Sequence, residues 1–289
     1  MTSTYLTRSA PLLFVFIWGT GAIVARLVAP YSEPLTFLLL RYGLTIAVLA
    51  GAALAMRAPW PATPRSWRDA MVAGVLLHGL YLGGMFWAVS TGTPAGIAAL
   101  IAGLQPLATG LLVGPLLGEH VSRQRWTGIV VGLVGATLVI APKLGVGRGL
   151  EPIPLLVCVL AMMSMTVGTI WQKRTGNAGD LRTSTVVQYV GAALVTLPVA
   201  YLVEQGRVDP NLSFGLGLLW AVFGLSIGGI GFLLFLIRRG AVAGVASLFY
   251  LVPPVSALLA YLLFGETLAP VQILGMAVAV IGIAITSKG

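Results

Sequence analysis

Hydrophobic positions along this chain do not alternate with polar ones; they run. Ten apolar segments lie at about 10–29, 34–56, 69–90, 94–117, 123–141, 152–172, 182–203, 213–236, 241–264 and 268–286. Each is close to the roughly 20 residues that a helix needs to cross a bilayer. Backbone polar groups in lipid must be satisfied internally, so runs of this length are read as helices. The pattern predicts an all-α polytopic membrane protein with ten transmembrane helices. The breaks between runs are short and carry Pro, Gly or charge, as breakers should. Of the polar stretches, Arg57 to Arg68 is the longest and holds three prolines.

The punctuation repeats at an offset of 147 residues. Gly118-Glu119 recurs as Gly265-Glu266, Pro106 as Pro253, Gly128 as Gly275 and Gly135 as Gly282. Upstream, Gly21 meets Gly168, Arg26 meets Lys173 and Tyr42 meets Tyr189. The chain therefore reads as a single transmembrane domain, 1–289. Repeat 1 covers about 8–141, a linker about 142–151, and repeat 2 about 152–287. Five spans per half is an odd number, so the second half enters the membrane inverted. Inverted repeats mark many transporters, with the substrate between the repeats near the bilayer midplane.

Composition agrees with that reading. The chain is 58% hydrophobic and only 9% charged, with mean hydropathy +0.98. Soluble domains carry about 25% charged residues. The net charge of +9 comes from basic residues scattered singly at segment ends. That distribution argues for a lipid bilayer and against a nucleic-acid partner. With the N-terminus inside, twelve Lys and Arg fall on the cytoplasmic side and four on the outer side, and Arg41 falls within a span. The positive-inside rule then places both termini in the cytoplasm; the expected location is a bacterial inner membrane. The first run is longer than a signal-peptide core and is read as an uncleaved helix. Trp60, Trp67, Trp126 and Trp220 fall near segment ends, where interface anchors belong.

No metal-ligand spacing, dinucleotide loop or phosphate loop occurs, so neither a cofactor nor a primary pump is expected. The lone Cys158 forms no internal disulfide. Glycines recur at spacing four, as in Gly79 and Gly83 or Gly128 and Gly132, which lets helices approach closely. The spacing identifies no dimer face, and a homodimer stays open.

Several residues resemble those of a known family. They are Trp18-Gly19 in the first helix, Leu40-Arg41-Tyr42 in the second, and the two Gly-Glu pairs with Pro106 and Pro253-Pro254 upstream. Their order and common offset resemble the EamA-type ten-helix branch of the drug/metabolite transporter superfamily, over essentially the whole chain. Within it the chain looks most like bacterial aromatic amino acid and methyl viologen exporters. The resemblance implies a carrier of small metabolites, often an exporter, with or without proton coupling.

Candidate transport residues follow from burial and chemistry. Pro106, Pro253 and Pro254 remove backbone donors inside helices and free the carbonyls of Ala102, Phe249 and Tyr250, suggesting a cavity and a hinge. His78 and Tyr81 are three apart and are expected on one helical face near mid-span, with Gly74 one turn earlier. Gln105 offers donors and an acceptor. Trp18, Tyr42, Trp171 and Tyr250 join His78, Tyr81 and Gln105 as the candidate substrate-binding set, suited to a flat or apolar side chain. Arg41 lies roughly 10 Å inside the outer end of its helix. It could attract a substrate carboxylate from an outer vestibule, pair with Glu33, or snorkel. Glu119 and Glu266 fall at span ends on opposite sides and suit gating or locking. No Asp or Glu lies mid-span, so the expected mechanism is facilitated exchange by alternating access, not an enzymatic reaction. The rival from another class is an intramembrane serine hydrolase. Gly224-Leu225-Ser226-Ile227-Gly228 spells G-x-S-x-G, with His78 as the base.

Overall fold

The computed structural model describes residues 2–93, 95–143, 152–175, 179–240, 242–265 and 267–287. They form ten helical rods in chain order. The first half comprises α1 (Thr2–Val28), α2 (Pro34–Ala55), α3 (Pro64–Ser90), α4 (Ile97–Leu117) and α5 (Arg123–Ile140). The second comprises α6 (Pro152–Thr175), α7 (Leu181–Val203), α8 (Leu212–Arg239), α9 (Val242–Leu263) and α10 (Pro270–Ser287). Nine of these, among the described residues, are long and apolar enough to cross a membrane; the exception, α5, begins Arg-Gln-Arg. The protein is a multi-pass, all-helical membrane protein. Its outer surface is oily, with Leu12, Leu202 and Leu212 each at least 70% exposed. Lipid, unlike water, imposes no penalty on such a surface.

The repeat visible in the sequence is also a repeat of irregularities. A π-helical turn interrupts α3 at Val75–Leu80, and another interrupts α8 at Ala221–Gly229. α4 breaks between Ala102 and Gln105, and α9 passes through a tight 3-10 turn at Leu248–Leu251. Leu104 and Leu251, at matching positions, adopt nearly the same backbone angles (φ −78°, ψ −11° and φ −84°, ψ −11°). Gly118 and Gly265 then end the two helices in the left-handed region (φ 71° and 65°), where a Cβ is strained. Pro106 and Pro253 do not kink a continuous helix. Each lies in the first turn of a new segment, where its missing N–H has no helical partner to lose. The carbonyl of Phe249, expected to be free, accepts from the Val252 N–H within the 3-10 turn.

Two helix pairs carry the packing across the repeats. α5 and α10 meet backbone to backbone. A Cβ on Gly275 would fall 2.7 Å from the Val139 nitrogen and 2.8 Å from the Gly135 oxygen. Gly128 and Gly282 make the reciprocal approach, so the four repeated glycines form one pseudo-two-fold seam. α2 and α7 form the second pair and bring Tyr42 against its repeat mate Tyr189, ring centroids 5.4 Å apart. At the end away from the termini, each half caps the other. The Glu204 carboxylate accepts from the amides of Leu35 and Thr36, both at 2.7 Å. The Glu33 carboxylate accepts from the amides of Gln205 and Arg207 at 3.0 and 2.8 Å.

Candidate functional site

A cavity of about 680 Å³ is not where the chemistry lies. It is a groove between α3, α6 and α7 whose walls include Leu80, Leu160 and Val199, each 46% exposed or more on the lipid face. A smaller cavity of about 200 Å³ lies inside the bundle, between α1, α2, α3, α8 and α9. Each helix contributes one face. α1 presents Trp18, Gly21, Ala22 and Ala25, spaced at helical intervals. α2 presents Phe37 and Arg41, one turn apart, and α3 presents Tyr81 and Met85, also one turn apart. Ser256 of α9 closes the ring, its hydroxyl donating to the Gly19 carbonyl at 2.8 Å.

This cavity shares Ala22, Val252 and Ser256 with another of about 380 Å³, lined by Arg26, Ala99, Ile140 and Gln272. Those residues belong to the end of the bundle opposite the termini. The two cavities therefore adjoin, the outer one toward that end and the inner one beside Arg41. Toward the termini the inner cavity is walled off. Phe14, Trp18 and Phe249 pack with centroids 5.2 to 5.3 Å apart, Phe249 edge-on to both other rings. Leu77, Met165, Leu233 and Ile237 fill the space beneath them.

Arg41 is the charged group of the cavity and is only 5% exposed. Its Nε donates to the Ser226 hydroxyl oxygen at 2.7 Å. The Tyr189 ring lies beside the same pair. No carboxylate pairs with Arg41 among the described residues. Pairing with Glu33, one sequence alternative, does not occur, because the Glu33 carboxylate is engaged with the Gln205 and Arg207 amides. Arg41 lines the inner cavity, which adjoins the cavity at the end opposite the termini.

The structure splits the expected His78–Tyr81 face. The π turn at Val75–Leu80 is wider than an α-helical turn, so residues three apart no longer align. Tyr81 faces the cavity, whereas His78 is fully buried and stacks on Tyr189 of α7 (4.6 Å, 10° between planes). Gly74 goes with His78: its Cα faces the Gln188 backbone of α7. Two carbonyls of the π turn, which accept from the Tyr81 N–H, also accept from neighbouring helices. Tyr42 Oη donates to the His78 carbonyl at 2.9 Å, and Ser164 Oγ donates to that of Leu76 at 2.9 Å. Tyr42 is thus an interhelical bridge with no exposed surface.

The remaining candidates are dispersed. Gln105 is buried and donates from Nε2 to Thr109 at 3.0 Å. Trp171 donates from its indole to the Asp69 carbonyl at 3.0 Å, near the end that carries the termini. Tyr250 is buried in a separate cluster with Ile129, Ala136 and Trp126, its ring against Gly132 of α5. Pro253 borders the outer cavity, and Pro106 is buried within the first turn of its segment. Pro254 is buried in the corresponding turn of α9. Glu119 caps α9, its carboxylate accepting from the Val242 N–H at 3.0 Å. Glu266 lies outside the described residues.

The G-x-S-x-G sequence forms no strand–turn–helix elbow. Ser226 is inside a helical π turn and is bonded to Arg41, while the His78 ring nitrogens have no hydrogen-bond partner. The arrangement contains no nucleophile–base pair, and the hydrolase reading falls. Among the described residues no cluster of His, Cys, Asp and Glu could hold a metal.

Comparison with known proteins follows the same lines. The model of the EamA-like transporter family matches twice, at residues 9–141 and 152–288. Protein PecM of Dickeya dadantii is 31% identical, covering 90% of this chain and 85% of that protein. The uncharacterized inner membrane transporter YedA of Escherichia coli is 28% identical (94% and 88% covered). A probable amino-acid metabolite efflux pump of Salmonella typhimurium is 26% identical (96% and 93% covered). A solved crystal structure superposes with TM-score 0.80 over 97% of this chain and 98% of the other, at 21% identity, which bears on fold alone.

Proposed function

Because the chain belongs to the EamA-like transporter family and is a membrane transporter, not an enzyme, we propose that it carries small apolar or aromatic carboxylates. Amino acids and related metabolites make up this class. The observation that carries the proposal is a buried arginine without a carboxylate partner, set in a cavity otherwise lined by Trp18, Phe37, Tyr81, Met85 and Phe86. A planar guanidinium matches a carboxylate, and the aromatic and Met surfaces suit a flat or oily body. At about 200 Å³ the cavity is smaller than the roughly 300–1,000 Å³ of drug-sized sites, favouring metabolites over drugs. The Salmonella relative is named for amino-acid metabolite efflux, and an outward direction is proposed here on that likeness.

In the proposed cycle, cargo sits between the halves and the halves rock around it. In this reading the Phe14–Trp18–Phe249 plug and the Glu119 cap close the termini end, and cargo enters by the cavity toward the opposite end. The basic residues Lys173, Arg174, Arg238 and Arg239 cluster at the termini end, which supports a cytoplasmic location for it. We further propose a facilitated exchanger. The cavity has no carboxylate to relay protons, and His78 faces Tyr189 instead of the cavity.

Counterflow in proteoliposomes with no pH gradient tests this function. Vesicles loaded with unlabelled phenylalanine or its analogues should transiently accumulate the labelled compound. No accumulation across a broad panel of amino acids and their oxo and hydroxy acids would refute the cargo class. Coupling to protons that survives replacement of His78 would refute the exchanger.

A further inference from the structure

We infer that this cavity sorts cargo by net charge. It takes an apolar or aromatic carboxylate monoanion in preference to a zwitterion of the same size, and it rejects the cation. The inference rests on the transporter reading of the site and narrows it. Arg41 gives its Nε to Ser226 at 2.7 Å, which anchors one edge of the guanidinium, and no carboxylate among the described residues takes its terminal nitrogens. The cavity holds no group that would receive an ammonium as a charge. None of its lining residues is an acid.

Five acids elsewhere among the described residues are occupied. Glu33 and Glu204 bind backbone amides at the far end of the bundle. Asp69 faces Arg65 and Arg68, Asp180 faces Arg182, and Glu119 caps Val242. Ser256 offers an uncharged oxygen that already donates to Gly19.

Charge balance in a low-dielectric cavity then decides. With a monoanion bound, Arg41 is neutralised. A zwitterion satisfies Arg41 but brings in an ammonium with no counter-charge, so the loaded cavity keeps one positive charge. An amine leaves two. Burying an unpaired charge is costly, so affinity should fall in that order. The repeat mate of Arg41 is the neutral Gln188, which makes Arg41 the source of the asymmetry and Ser226 its positioning residue.

The test uses purified full-length protein and three probes that share a phenylethyl frame: L-phenyllactate, L-phenylalanine and 2-phenylethylamine. Binding is read by thermal shift and by tryptophan fluorescence. Phenyllactate should bind about tenfold or more tighter than phenylalanine, and the amine should not bind. Arg41→Gln should collapse that ratio toward one. Ser226→Ala should shrink it and Ser226→Thr restore it, a pattern that a general loss of folding would not give. Phenylalanine binding as tightly as phenyllactate, or a ratio that survives Arg41→Gln, overturns the inference and leaves the transporter reading intact. Binding of none of the three to folded protein overturns the aromatic cargo reading and this inference with it.

Discussion

At the scale of the residue, Arg41 and His78 are two buried polar groups with different surroundings, one on a regular helix and one in a π turn. Arg41 faces the cavity from a regular helix, and its neighbour on that face, Phe37, was legible from spacing alone. Tyr81 and Met85 follow the same rule, as do Trp18, Gly21, Ala22 and Ala25. His78 was misplaced because α-helical spacing does not hold across the π turn that precedes Tyr81. Nothing in Val75-Leu76-Leu77-His78-Gly79-Leu80 signals a π turn; the hydroxyls of Tyr42 and Ser164 that support it come from other helices. Ser226 was legible as a polar residue mid-span, but its partner was not, since the motif suggested a nucleophile and the fold supplies an arginine. The buried ring nitrogens of His78 have no partner, so an apolar ring of similar shape should cost little. His78→Phe is therefore expected to keep the melting temperature within a few degrees and leave exchange without a pH gradient within about twofold. A loss of exchange in folded His78→Phe protein would show that the imidazole takes part in transport.

At the scale of the element, the repeat was legible because glycines and prolines stand at matched positions for backbone reasons. The α5–α10 seam has no room for a Cβ at Gly275, where Val139 and Gly135 backbone atoms stand within 2.8 Å. Gly275→Ala must force the helices apart and is expected to destabilise by about 1–3 kcal/mol. A melting curve in detergent checks it; an unchanged curve would mean that the seam yields freely. The Glu119 cap on Val242 belongs to the same scale, because it ties the end of α4 to the start of α9. Glu119→Ala should loosen the termini-side closure. A cysteine introduced at Val245, now buried in the plug, should then be labelled faster, in a background where the buried Cys158 is replaced by Ala. Unaltered labelling would make the cap purely local. Tyr250 shows the limit of choosing candidates by side-chain chemistry. It lies within the 3-10 turn of α9, which aims it at Gly132 of α5 and away from the inner cavity.

At the scale of the whole molecule, the inverted plan was legible from the 147-residue offset, but the way the halves clasp was not. Glu33 reaches into the second half and Glu204 into the first. Their repeat mates are Asp180, which caps its own helix, and the unrelated Arg57, so no sequence symmetry announces the clasp. Glu33 is held below the usual carboxylate range, first by the Arg207 amide hydrogen bond. A carboxyl lowered in this way adds stability above its unfolded pKa, and that contribution is lost as pH falls through the lowered value. The melting temperature should therefore drop below about pH 4, and less steeply in Glu33→Gln. Identical pH profiles would assign the acid sensitivity to other groups.

The proposed transport route runs from the end opposite the termini to cargo held beside Arg41, and is closed at the termini end. It is tested most directly with Met85→Cys on a Cys158→Ala background, probed in oriented membranes by a thiol reagent that cannot cross the bilayer. Met85 lines the inner cavity next to Tyr81 and Phe86. The account predicts rapid labelling from the side opposite the termini, slow labelling from the termini side, and protection by phenyllactate. Equal labelling from both sides, with no protection by any carboxylate in the panel, would contradict it.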